Sequence, residues 1–95
     1  MTPQQLQQAK ALLKPEGHYA DLQLIPMKNE SNGDCVCADS PMVADFFNVW
    51  LRINDSDDEH IEEVIDIDFE DESSARAEIE TIATALDTDW EYVNG

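Results

Sequence analysis

Basic residues are what this sequence has least of. Lys and Arg together number five against 22 Asp and Glu, a formal net charge of −17. Like-charge repulsion on that scale excludes direct binding to DNA. Glycine is almost as scarce, at Gly17, Gly33 and Gly95, which leaves no glycine-rich loop to cradle a phosphate. No stretch approaches the roughly 18 apolar residues of a membrane helix. Residues 1–14 lack the apolar core of a secretory signal, so a soluble, cytoplasmic protein is expected, with no membrane partner. The cysteines number two, Cys35 and Cys37. They are expected to point to opposite faces of a strand and to stay reduced thiols.

What is present is enough for one core. Apolar residues make up 42% of the chain, and Trp50, Trp90, Phe46, Phe47, Phe69, Tyr19 and Tyr92 bring large side chains to bury. A chain of 95 residues exceeds the size at which disulfides or metals become obligatory, yet has no room for two cores. Residues 1–95 are therefore expected to form a single acidic domain.

The charge is unevenly spread. Residues 1–33 hold three acids and three bases and are neutral, so the whole −17 falls on residues 34–95, whose only bases are Arg52 and Arg76. Eleven acids lie between residues 54 and 72 with no Lys or Arg among them. Two unit charges about 7 Å apart repel by roughly 0.6 kcal/mol even in water. Against a total stability on the order of 5–14 kcal/mol, such a run burdens the fold and calls for a reason.

Periodicity places the elements. Thr2 and Pro3 open a helix whose Leu6, Ala9, Leu12 and Leu13 share a face, and Pro15 and Gly17 end it. Ala20, Leu22 and Leu24 alternate with Tyr19, Asp21 and Gln23, as in a half-buried strand over residues 18–27. The Asn32-Gly33 loop then predicts a hairpin returning through residues 35–38. Ser40-Pro41 offers a short helix over 41–46. From 47 to 53 the alternation of Phe47, Val49, Leu51 and Ile53 favours a strand, although Val43, Phe46, Phe47 and Trp50 also fit helical spacing.

In residues 63–70, Glu63, Ile65, Ile67 and Phe69 take one face and Val64, Asp66, Asp68 and Glu70 the other. Ser73 can cap a last helix in which Ala75, Ile79, Ile82, Ala83 and Leu86 are aligned, and residues 90–93 can add a terminal strand. The order predicts an α+β fold: a small antiparallel sheet of about four strands with helices packed on one face.

The acid ladder is the candidate site. Residues i, i+2 and i+4 of a strand lie about 6.8 Å apart on one face, so Asp66, Asp68 and Glu70 form a row. The phosphates of a nucleic-acid strand repeat about every 3.4 Å along the helix axis, so the two patterns are commensurate within side-chain reach. Asp55, Asp57, Asp58, Glu59, Glu62 and Asp71 flank the row, and Glu78 and Glu80 of the last helix are expected to extend it.

Trp50 and Arg52, outward on the neighbouring strand, are expected beside Asp66 and Asp68. Trp50 is either buried under a helix or loop or an aromatic anchor at an interface, and Arg52 is expected in a cross-strand ion pair. The expected partner is a basic protein, in particular a nucleic-acid-binding protein whose Lys/Arg groove the row would occupy. In size and charge the chain resembles the small acidic inhibitors encoded by bacteriophages, such as anti-CRISPR, anti-restriction and DNA-mimic proteins. That resemblance implies an inhibitor and rests on no motif.

Other chemistry fits the residues less well. Read as an EF-hand loop starting at Asp55, the acidic run places His60 where glycine is needed and Asp66 where glutamate closes the site. Cys35, Cys37, His18 and His60 match no usual zinc spacing. An anionic field raises a thiol pKa, which is the reverse of activation. No enzyme, metal or cofactor is therefore expected. The competing readings are a structural or assembly subunit, such as a homodimer with a merely solubilising acidic face, and a weak calcium-responsive protein.

Overall fold

The computed structural model describes residues 1–93. Helix α1 (Pro3–Leu13) opens with a reciprocal cap. The Gln5 backbone N–H donates to the Thr2 hydroxyl at 3.1 Å, and the Thr2 N–H donates to Gln5 Oε1 at 2.9 Å. At its far end His18 Nδ1–H donates to the Leu12 carbonyl at 2.8 Å, which accounts for one of the two histidines.

The chain then enters β1 (Tyr19–Asn29), turns at Gly33 and returns as the three-residue β2 (Cys35–Cys37). The strand runs through Pro26 because the Pro26 carbonyl accepts the Ala38 N–H. Its missing N–H therefore faces the side where the ladder with β2 has ended. Cys35 and Cys37 are both free and exposed. Two residues apart on a strand, they share a face, which corrects the expectation of opposite faces.

The segment with two readings resolves into a single 3₁₀ turn (Pro41–Val43) followed by β3 (Phe46–Asn54). The short helix expected over 41–46 is thus only that turn. Burial decides the matter: as a strand, the segment buries Phe47, Val49, Leu51 and Ile53 together. Strand β4 (His60–Phe69) follows, then α2 (Glu72–Leu86) and a two-residue β5 (Glu91–Tyr92).

The strand order is β2-β1-β3-β4, all antiparallel, with β5 lying parallel beside β1 at Gln23 and Leu24. The fold is therefore α+β, as the element order implied. Both helices pack on one face of the sheet. Leu22, Leu24, Val49, Leu51, Ile53 and Ile65 meet Ala9 of α1 and Ala75, Ile79, Ile82 and Ala83 of α2 in one core. Two consequences position the site: β3 is the central strand, and β4 is a free edge.

Helix α2 is capped by Asp71, whose Oδ1 accepts the Ser74 N–H at 2.7 Å. This corrects the expectation that Ser73 is the cap. At the other end Asp87 sits in the left-handed region with φ 51°, where glycine has no Cβ penalty, and it also puts a negative charge at the negative end of the helix dipole. Asp87→Gly is expected to raise stability by about 0.5–1 kcal/mol, measured as a higher urea midpoint with an unchanged slope. Arg76 pins the C-terminal segment to α2. Its guanidinium lies 5.7 Å from the Trp90 ring and 5.0 Å from the Tyr92 ring, and it pairs with Glu72 at 3.0 Å.

Candidate functional site

Strand β4 carries the acids because its inner positions, Ile65, Ile67 and Phe69, pack toward the helices, leaving Asp66 and Asp68 on the helix-free face. Across the ladder, Asp66 stands opposite Trp50 and Asp68 opposite Asn48. The Asn48 side-chain amide donates to both carboxylates, at 2.5 Å to Asp66 and 2.9 Å to Asp68. One neutral donor thus holds the two acids side by side without cancelling their charge.

Past Asp66 the register slips at a β-bulge, so that Arg52 faces Glu63 and Ile53 faces Glu62. The slip moves Glu63 out of the inner row that simple alternation gave it. Its carboxylate accepts the Trp50 indole N–H, and it joins Asp66 and Asp68 along the open face. Arg52 pairs with Asp21 of β1 at 3.0 Å and stacks 4.6 Å from the Trp50 ring centre. The cross-strand ion pair exists, but with β1: Arg52 stands opposite Glu63 and pairs with Asp21.

The β3–β4 turn gathers Asp55, Asp57, Asp58 and Glu59. Asp55 builds the turn, its Oδ1 accepting the N–H groups of Asp57 at 2.8 Å and Glu59 at 3.0 Å. Asp58 adopts φ 63° and accepts the Tyr19 hydroxyl at 2.6 Å. That bond and the adjacent negative charge raise the Tyr19 pKa. Gly17, at φ +88°, packs so closely that a Cβ there would come within 2.9 Å of Ser56 Cβ. The loop after α1 thereby fixes the turn in place.

At the other end of β4, Glu70 is exposed and Asp71 caps α2. Hydrogen bonding from Ser74, first its side chain and then its backbone N–H, lowers the Asp71 pKa. A carboxyl depressed in the folded state adds stability above its unfolded pKa and loses it as pH falls through the folded value. Asp71→Ala is accordingly expected to lower Tm at neutral pH. In acid, where the wild-type carboxyl is protonated too, the difference should shrink, as thermal melts at the two pH values will show.

The predicted residues therefore lie along one edge. Ten residues of β4 rise about 33 Å in a molecule whose longest extent is 42 Å. The acids at 55–72 run from the turn, along the strand, to the start of α2. Of these eleven, only Glu72 meets a cation among the described residues; the other ion pairs there are Arg52–Asp21 and the Met1 ammonium with Glu78.

The helix acids do not extend the row. Glu78 is engaged by the Met1 ammonium at 2.6 Å, and α2 lies on the opposite face of the sheet. Glu80 instead lines an open hollow of about 890 Å³ with Asp87, Asp89 and Trp90. Among the described residues no three His, Cys, Asp or Glu side chains converge as metal ligands, and no helix is long and apolar enough to cross a membrane.

Sequence reasoning placed Trp50 beside the acids but missed the rest of the floor. Ile25 and Met27 of β1 and Phe46 of β3 lie on the helix-free face with Trp50, lining a shallow depression of about 420 Å³ bordered by Glu63, Asp66 and Asp68. The signal was there: all four hold the outward parity of their strands, yet are apolar. Compared with protein-family models, curated proteins and solved structures, the chain matches none.

Proposed function

We propose that this protein is a non-enzymatic acidic inhibitor that occupies the basic groove of a nucleic-acid-binding protein, with Asp66, Asp68 and Glu70 at the centre of contact. The observation that carries this reading is the uncompensated edge. Asp55, Asp57, Asp58, Glu59, Glu62, Glu63, Asp66, Asp68, Glu70 and Asp71 follow one another along β4 and its ends with no cation on any of them among the described residues.

Self-repulsion along such a row costs stability. Its length, roughly 33 Å, matches about ten phosphates of one nucleic-acid strand. The neutral donors Asn48 and Trp50 support the same reading, because they orient carboxylates without discharging them. Capture of a basic groove by such a row is fast and salt-sensitive, since exposed charges act over about 8 Å at physiological ionic strength. A phage anti-defence role in the cytoplasm, by blocking a nuclease or a restriction or CRISPR effector, is the biological form we propose for this mechanism.

The test is affinity capture on the immobilised protein, followed by elution with duplex DNA. Basic nucleic-acid-binding proteins released by DNA are the expected result. A capture that yields none, or proteins that DNA does not displace, would remove the mimicry reading.

A further inference from the structure

One stretch of the helix-free face of the sheet is not built like a solvated surface. Around Asn48 it holds four apolar positions, Ile25, Met27, Phe46 and Trp50, each half-buried, with Arg52 stacked on Trp50 and no element of the described chain laid over them. Outward strand positions that serve only solubility are polar. Polar residues surround this stretch, with Asp21, Gln23, Asn48 and Arg52 on β1 and β3, and on the β4 flank Glu63, Asp66 and Asp68 are held in place by Trp50 and Asn48.

We propose that this face is the docking surface for a basic amphipathic α-helix of a partner protein. The helix sets its apolar side on Ile25, Met27, Phe46 and Trp50 and its Lys or Arg side chains against Glu63, Asp66 and Asp68. This rests on the reading of the acids as a basic-protein site and names the part of the partner that enters it. Geometry fits the occupant: β1 to β4 is two strand spacings, about 10 Å, close to the 10–12 Å diameter of a helix. Phe46 to Trp50 runs about 13 Å along β3, the rise of roughly nine helical residues.

Charge also chooses between occupants. A second copy would bring another −17 onto the same acids, whereas a basic helix neutralises them.

The experiment uses the full chain, ¹⁵N-labelled, and two synthetic peptides of identical Leu/Lys composition: one with its leucines on a single helical face, one scrambled so that they are not. The amphipathic peptide is expected to bind at least about tenfold more tightly, because only it buries apolar area in register. It should shift the Trp50 indole and Asn48 side-chain amide signals first. Ile25→Ser, and independently Met27→Ser, should abolish the difference between the peptides while leaving the scrambled one's affinity unchanged; circular dichroism checks that each variant folds.

Equal affinities, with shifts confined to the turn acids and β4 edge, would overturn the docking surface and leave the electrostatic reading standing. Failure of both peptides to bind at low salt would overturn both. A dimer in sedimentation velocity whose Trp50 signal shifts with protein concentration would hand the face to a second copy and also overturn the proposal.

Discussion

Replacing Asp66, Asp68 and Glu70 by Asn, Asn and Gln is expected to weaken capture of the partner by tenfold or more while leaving the fold as stable as before, or more stable. The shapes are retained, and an asparagine oxygen can still accept the Asn48 amide that now serves both acids. Only the charge is lost. Exposed ion pairs contribute on the order of 0.5 kcal/mol each, so three amount to roughly a factor of ten in affinity. Any surplus would show these acids to be desolvated in the complex.

Within the free protein the change removes like-charge repulsion along the edge strand, so Tm should hold or rise by a few degrees at low ionic strength, and less in high salt. Intact binding by this variant would move the contact away from the centre of β4. A marked fall in Tm would mean that the acids serve the fold, contrary to the role given them here.

The second large effect belongs to the core. Leu51→Ala is expected to cost about 3 kcal/mol or more, a large share of the roughly 5–14 kcal/mol available to a chain of this length. Leu51 is fully buried at the middle of the central strand, opposite Leu22 on one side and Ile65 on the other, and lies beneath the helices. A cavity there is walled by strands hydrogen-bonded on both sides and has little freedom to collapse. Urea denaturation followed by circular dichroism should show the midpoint fall steeply. A cost below about 1 kcal/mol would mean that the helix layer closes over the gap.

Most of the architecture could be read before any coordinates, because burial on one face of a sheet imposes a period of two. Leu22 and Leu24, Phe47 through Ile53, and Ile65 through Phe69 display it openly, and the inner face of α2 follows its period of 3.6 from Ala75 to Ala83. Alternation failed where the backbone departed from it. The bulges beside Arg52 and Asn54 add residues to β4 and shift Glu62 and Glu63 out of step, and no propensity at those positions signals the slip.

Caps were half legible. Thr2 and Pro3 form the predicted start of α1, to which the structure adds the reciprocal bond from Gln5. For α2 the sequence reading took Ser73, whereas the helix starts two residues earlier and Asp71 caps it by accepting the Ser74 N–H. The acids at 55–71 were found as a charge run. That Asn48 would gather two of them was not, because Asn48 and Asp68 are 20 residues apart in the chain.

Composition and periodicity by themselves determined the sign and location of the charge, the apolar faces, and hence a two-layer α+β domain. These are local properties, since every residue carries its charge and hydropathy wherever the chain takes it. Tertiary structure decided that β4 would be an edge, that Arg52 would turn to Asp21 and not to the acids of β4, and that no element among the described residues would cover the face shared by Ile25, Met27, Phe46 and Trp50. Those outcomes depend on which strands become neighbours, a choice made by the packing energy of the whole sheet and not by any segment within it.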